Sequence, residues 1–346
     1  HFGGGTPTII RPEEFSGLMR LLRQRYNVHR QANISVEIDP RTLDPDMAAA
    51  LGEGGVTRAS LGVQSFDPVV QKAINRIQSE ETTAGTVGAL RRNGIESINF
   101  DLIYGLPHQT VASCRETVRA AVAMRPDRFA VFGYAHIPSF KKHQRLIDEK
   151  ALPDAQARHD QAEAIAADLV CAGYRRIGLD HFALPDDELA IAADNGRLRR
   201  NFQGYTTDNC DALLGFGASA IGRLANGYVQ NEVPPGLYAR KVSSGELPTA
   251  KGYSLTREDR LRADVIERLM CDFSADIPAI SAAHGFPADF LLATNPGLRD
   301  MASDGLISFA DGTIRLDGAY RFLVRTVAAT FDSYLADSQR TFSKAA

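Results

Sequence analysis

Between residues 34 and 179 the sequence repeats one unit: a short β-rich run, a polar tip, then an amphipathic helix. The period-two and β-branched runs predict strands over 34–39, 58–63, 97–104, 128–134 and 175–179. Apolar residues at helical spacing predict helices over 44–53, 79–93, 110–124 and 154–172, with Gly94 and Gly173 as stops. Another helix is predicted over 11–25, opened by Pro12-Glu13-Glu14, which suits a first turn. This alternation reads as a parallel sheet with crossover helices. The tips are polar each time: Glu37 and Asp39, Gln64, Asp101 and Tyr104, Tyr134 and His136, Asp180 and His181. In a (β/α) barrel that C-terminal rim carries ligand chemistry. An exposed strand end explains any one of these residues; their recurrence on the same end of successive strands argues for a site.

Ahead of the first helix stands His1-Phe2-Gly3-Gly4-Gly5-Thr6-Pro7-Thr8, which reads as the end of a strand. Three glycines let a ligand lie against the backbone, and Pro7 fixes the exit. A tight turn would account for the octapeptide equally well. A first residue that is not Met, inside a strand end, reads as a fragment that continues upstream. The 346 residues carry a net charge of −3, with 44% hydrophobic and 23% charged residues. That balance is of a soluble globular chain of about two domains, without a nucleic-acid or membrane-span signal. Cys114, Cys171, Cys210 and Cys271 are too far apart for a metal knuckle or a redox pair, and a cytoplasmic location fits them.

From Asp186 the pattern changes. Residues 197–207 form a polar stretch with two aromatics, expected to be a lid loop, and residues 213–222 are rich in glycine. Residues 232–254 have the Pro, Gly and Ser content of a connector. Beyond it, a helix over 256–273 capped by Thr256, helices over 276–284 and 287–304, a hairpin around Ala310-Asp311-Gly312 and a last helix over 317–336 are expected. That order is winged-helix-like. From Leu255 onward, however, 10 Lys and Arg face 13 Asp and Glu, the wrong balance for a DNA reader. The expected organisation is a (β/α) barrel over 1–231, a connector over 232–254 and a mainly α C-terminal domain over 255–346.

Several stretches resemble oxygen-independent coproporphyrinogen III oxidases, of the radical S-adenosylmethionine (SAM) superfamily. They are HFGGGTPT at 1–8, ISVEIDP at 34–40, LGVQSFD at 61–67, VQKAINRIQ at 70–78, NFDLIYGLP at 99–107, FGYAHIP at 132–138, GLDHFALPDDELA at 178–190, RNFQGYTT at 200–207, LLGFGASAI at 213–221 and TREDRLRADVI at 256–266. The resemblance implies an open, partial TIM-type (β/α) barrel, here lacking its first strand, a [4Fe–4S] cluster and two SAM molecules. It places the first SAM at Gly4, Glu37 and Ile221. The second falls at Gly5, Thr6, Gln64, Arg76, Asp101 and Ala135. Arg76 suits the cofactor's carboxylate. Without the resemblance, a local pairing of Arg76 with Glu80 is the simpler reading. Gln203 is a candidate for the substrate pocket, and His136 and His181 are expected to be structural.

One departure matters. Such enzymes hold the cluster with a CxxxCxxC motif just upstream of HxGGGTPT, and no such spacing occurs among residues 1–346. The cluster ligands are therefore expected outside this sequence, and residues 1–346 alone are expected not to turn over. The implied reaction is oxidative decarboxylation of two propionates of coproporphyrinogen III to vinyls, giving protoporphyrinogen IX in haem biosynthesis. It proceeds through a 5′-deoxyadenosyl radical, with flavodoxin or ferredoxin as electron donor. A monomer is expected. Haem chaperones on the same scaffold are the rival reading; they carry HNxxYW where this chain has Asn201-Phe202-Gln203-Gly204-Tyr205. A third is an unrelated barrel holding a phosphorylated metabolite at Gly3–Gly5.

Overall fold

In the computed structural model, which describes residues 1–295 and 297–335, each predicted strand–helix unit is present. The first unit, His1–Ile191, contains α1 (Pro12–Arg25), β1 (Ser35–Ile38), α2 (Pro45–Glu53), β2 (Arg58–Gln64), α3 (Pro68–Ala73), α4 (Glu80–Arg92), β3 (Ser97–Tyr104), α5 (Val111–Ala123), β4 (Arg128–Gly133), α6 (Ala155–Cys171), β5 (Arg175–Ile177) and β6 (His181–Ala183). The helices start where short polar side chains cap them. Asp44, Ser79, Thr110 and Asp154 each accept from an amide of the first turn.

The sheet runs β1-β2-β3-β4-β6-β5. The first four strands are parallel, and the sheet does not close into a barrel. Phe2 adds a bridge beside Val36, its amide donating to Ser35 O at 2.8 Å and its carbonyl accepting from Glu37 N at 2.9 Å. The octapeptide thus begins as a strand end, as expected. Alternation sorts the two faces. Val36, Ile38, Ala59, Leu61, Val63, Ile98, Phe100 and Leu102 are buried under the helices. Phe100 and Phe129 meet edge to face at 6.0 Å. The opposite, inner face carries Glu37, Ser60, Gly62, Asn99 and Asp101.

The expected strand over 175–179 is instead a tight hairpin. β6 turns back antiparallel to both β5 and β4, with Gly178 at φ 55° in the turn. Asp180 and His181 still lie at the rim, because the turn points along the C-terminal direction of β4; Val131 N donates to Asp180 O at 2.7 Å.

The second unit begins at Ala192, so the division falls well before the expected boundary at 231. The short helix α7 (Glu188–Asp194) runs through that division. Then come β7 (Arg199–Asn201), β8 (Gly204–Thr206), β9 (Ile221–Leu224), β10 (Gly227–Asn231), α8 (Pro235–Ser243), β11 (Thr249–Ser254), α9 (Arg257–Asp272), β12 (Ser274–Asp276), α10 (Ile277–Ala283), α11 (Phe290–Ala293), α12 (Gly297–Ser303), β13 (Ile307–Ala310), β14 (Thr313–Leu316) and α13 (Val324–Ala329). Two expectations are corrected here. The lid loop over 197–207 is a hairpin, β7–β8, with Phe202 and Gln203 as its turn. The connector over 232–254 is ordered structure: α8, and a strand, β11, that completes the antiparallel sheet β11-β10-β9. The winged-helix-like part is present as α9, α10, α12 and the sheet β12-β14-β13, but the last helix is broken into a 3-10 turn over Gly318–Leu323 and α13. Its expected end at 336 lies outside the described residues.

Candidate functional site at the strand rim

Register puts the inner-face residues in rows. Glu37 pairs with Ser60, and Ser60 with Asn99. One step toward the rim, Gly62 pairs with Asp101, Asp101 with Ala130, and Ala130 with His181. In-register neighbours share a face, so acids, amides and an imidazole line one surface with small residues, Gly62 and Ala130, between them.

At the first end, Glu37 holds the glycine strap. His1 Nε2 approaches Glu37 Oε1 at 3.2 Å, and Gly4 N donates to Oε2 at 3.2 Å. The His1 hydrogen bond, outweighing partial burial, holds the Glu37 carboxyl below its ordinary range. Gly3 is closely packed: a Cβ there would stand 2.5 Å from Glu37 Oε1 and 2.6 Å from His1 Nε2, so one of those side-chain ends would have to move. Gly4 and Gly5 differ. They have φ of 88° and 128°, and nothing lies within 4 Å of where their Cβ atoms would be. Their open side leaves room for a ligand against the backbone. Thr6 follows as the flank of a 3-10 turn over Pro7–Ile9, its side chain making no cap bond.

In the middle, Asp101 accepts from Asn99 Nδ2 at 2.8 Å and Ser60 Oγ at 3.2 Å. Burial outweighs these bonds and pushes its carboxyl up to about 6. His181 opposes the rise, and the charge on Glu37 adds to it. A rim carboxyl that titrates near neutrality is the kind of perturbed group that marks functional sites.

Beyond it, β2 ends in a bulge that leaves Gln64 at φ 67°. Gly62 makes this possible. A Cβ there would meet Gln64 Nε2 at 3.0 Å and Arg76 Nη2 at 3.1 Å, so both side chains lie across its bare backbone. Arg76 does not pair with Glu80. It forks onto Asp39 at 3.3 Å through both terminal nitrogens and donates to Gly62 O at 2.8 Å. Arg41 grips the other side of Asp39, at 2.6 Å at its shortest. Burial works against the Asp39 charge, yet Arg41 and then Arg76 hold its carboxyl below the usual value. Two buried atoms here have no partner among the described residues, Gln64 Oε1 and Arg76 Nε. An orphan acceptor and an orphan donor on adjacent side chains are costly unless a ligand uses them.

The remaining candidates are placed as follows. Ala135 lies just past β4, its carbonyl accepting from Gln144 Nε2 at 2.8 Å. Ile221 opens β9 and Gln203 forms the exposed tip of β7–β8, both in the second unit. His136 bridges Tyr134 Oη at 3.2 Å and Glu149 at 3.1 Å, a structural role. The glycines over 213–222 owe their identity partly to close backbone approach: a Cβ on Gly222 would meet Leu213 O at 2.9 Å. Asn231 Nδ2 already takes the carbonyls of Gly215 and Gly217, both at 3.0 Å. Ser60, Asn99 and Arg41 were not singled out from sequence. Ser60 and Asn99 stand two residues from Gly62 and Asp101, so strand alternation alone could have placed them on the site face.

Away from the rim, a cavity of about 320 Å³ opens at the N-terminal strand ends, lined by Arg58, Arg128, Asp187 and Glu188 among others. There Arg128 Nε donates to Asp187 at 2.7 Å, and Arg58 and Arg128 both bond to Glu188. In (β/α) folds this end serves stability.

Comparison with known proteins identifies the family. Residues 1–121 match the Radical SAM superfamily. The chain is 59% identical to oxygen-independent coproporphyrinogen III oxidase from Bradyrhizobium diazoefficiens, over 100% of this chain and 77% of that protein. It is 40% identical to the Salmonella typhimurium enzyme of the same name, over 98% of this chain and 75% of the other. The solved coproporphyrinogen III oxidase (HemN) of Escherichia coli, described as a radical SAM enzyme, superimposes with a TM-score of 0.93. That match has 40% identity and covers 97% of this chain and 77% of that one. Among the described residues no helix is long and apolar enough to cross a membrane. With 59% identity over its whole length to one such enzyme and the fold of another, the chain belongs to the oxygen-independent coproporphyrinogen III oxidase family of the radical SAM superfamily.

Proposed function

We propose that the rim from Gly4 to Arg76 binds SAM for the oxidative decarboxylation of two propionate side chains of coproporphyrinogen III to vinyls. The observation that carries this reading is the orphan pair Gln64 Oε1 and Arg76 Nε. The methionyl end of SAM carries an ammonium and a carboxylate. An unpaired carbonyl oxygen suits the first and an unpaired guanidinium N–H the second. Asp101, once ionised, accepts from ribose hydroxyls, as acids do in other nucleotide sites. We place a first SAM at Gly4 and Glu37 and a second at Gly5, Thr6, Gln64, Arg76, Asp101 and Ala135. Bound SAM supplies the hydrogen-abstracting chemistry; the chain orients it and keeps it from water.

Membership of the superfamily implies a [4Fe–4S] cluster besides SAM. The thiols present do not fit it. Cys114 and Cys271 are buried, and burial pushes both up to about 12, whereas a ligand must be thiolate. Among the described residues no three His, Cys, Asp or Glu gather to hold a metal. The cluster's thiolates are proposed to lie outside residues 1–346, and no step is assigned to it here. A cytoplasmic monomer served by a flavodoxin or ferredoxin completes the reading.

The test is anaerobic turnover by a polypeptide that joins a CxxxCxxC segment to His1. The expected result is protoporphyrinogen IX with two equivalents of 5′-deoxyadenosine. Stoichiometric haem binding without decarboxylation would overturn the assignment in favour of a haem chaperone.

A further inference from the structure

Just past β4 the chain makes an exposed turn, Ser139-Phe140-Lys141-Lys142-His143-Gln144-Arg145-Leu146, that no part of the proposed site uses. It is built to hold a shape. Phe140 N and Lys141 N both donate to Ile137 O, at 3.0 and 2.8 Å. Gln144, the buried member, accepts from Ile137 N at 2.6 Å and donates to Ala135 O at 2.8 Å. That amide ties the turn to the rim beside a proposed cofactor contact. Everything else faces water. Phe140 is 78% and Leu146 90% exposed, large values for apolar side chains on an ordered turn. Lys141, Lys142 and Arg145 are exposed as well, and none is ion-paired within the described residues. Residues 139–147 contain these three cations and His143 and no acid; Asp148 and Glu149 follow directly, Asp148 accepting from Lys150 N at 3.0 Å and Glu149 pairing with His136 at 3.1 Å. The chain as a whole is acidic, at −3, so the concentration of positive charge is local.

An exposed aromatic and an aliphatic residue, set among cations with no acidic partner, make a contact surface of recognisable type: apolar anchors with a charged rim that steers a partner of opposite sign; Lys141 Nζ lies over the Phe140 ring at 5.5 Å and Arg145 Nε donates to Pro138 O at 3.3 Å. The shape argues against a small molecule. Ligand sites are concave and bury most of the ligand, whereas side chains this exposed project outward. We propose that the Phe140–Leu146 turn is the docking surface for a small acidic protein, the one-electron carrier that the proposed function requires. Only the carrier's role rests on that reading; the docking stands on the charge and exposure of the turn.

The experiment is surface plasmon resonance with the 346-residue chain immobilised and flavodoxin, an acidic carrier, as the probe, at 50 mM and 500 mM salt. We expect saturable binding at low salt that the high salt largely removes. The triple reversal Lys141→Glu, Lys142→Glu, Arg145→Glu should weaken it about 10- to 100-fold. Leu146→Ser should weaken it about 3- to 10-fold at 50 mM salt. Circular dichroism should be unchanged, because all four side chains are exposed. Titration with coproporphyrin III runs in parallel and should not distinguish the triple variant from wild type. Absence of flavodoxin binding, or equal binding by the triple variant, overturns the proposal. Loss of coproporphyrin binding in that variant also overturns it, making the turn a carboxylate anchor for the substrate. Neither result depends on turnover.

Discussion

Asp101 is a carboxyl whose surroundings favour its proton, and two consequences follow at the scale of the residue. Its ordinary value of 3.8 is pushed up to about 6 by burial. Below the lower value the folded and unfolded states are both protonated and nothing is lost; between the two the folded state binds more proton, so stability falls as pH rises. The gap corresponds to at most about 3 kcal/mol. Asp101→Asn should therefore raise the thermal midpoint at pH 8 by several degrees and leave it unchanged at pH 4; an equal shift at both would show that ionisation is not the cause. The same variant should bind SAM less well, and wild-type affinity should improve as pH rises through about 6. The glycine strap gives a second pair of predictions. Gly3→Ala must displace Glu37 or His1. Gly4→Ala meets no atom but is forced to φ 88°, a strain of about 1–2 kcal/mol. Chemical denaturation should show a loss for both, with the His1–Glu37 pairing disturbed only in the first. Sequence pattern pointed to Glu37, Gln64 and Asp101 as polar tips. It could not show that Arg76 turns from Glu80 to Asp39, because that choice depends on Gly62 being bare beneath it.

Elements were legible where their own residues closed them. The helices capped by Asp44, Ser79, Thr110 and Asp154 begin within a residue or so of expectation, since cap and period agree. The misses share a cause. β6 has three residues and α3 has six, too short for periodicity to register. β11 reads Thr-Ala-Lys-Gly-Tyr-Ser with every residue exposed, so no buried face imprints an alternation. Pairing with β10, not hydrophobic pattern, makes it a strand. The ion cluster at the N-terminal strand ends also depends on distant residues. Arg128 and Asp187 are nearly inaccessible, at 5% and 7% side-chain exposure. Arg128→Ala leaves the Asp187 charge buried and unpaired, and should cost about 3–5 kcal/mol by urea denaturation. Adding Asp187→Ala should recover part of the loss; a fully additive double variant would show that the pair is not coupled.

At the scale of the molecule, the alternation of strands and helices dictates an open sheet, parallel over its first four strands, and the sheet gathers residues from 4 to 181 on one rim. The C-terminal end of the chain shows how far charge carries an argument. Its winged-helix-like order suggests DNA, yet its acidic balance predicts no retention on duplex DNA at 50 mM salt. Retention there would contradict that reading. The most direct measurement of the central claim is equilibrium dialysis of labelled SAM against the 346-residue chain and its Arg76→Ala variant. The account predicts saturable binding to the wild type and at least about tenfold weaker binding to the variant, whose donor to the cofactor carboxylate is gone. Equal affinity in both, or no binding to the wild type, would contradict the assignment of the rim as a SAM site.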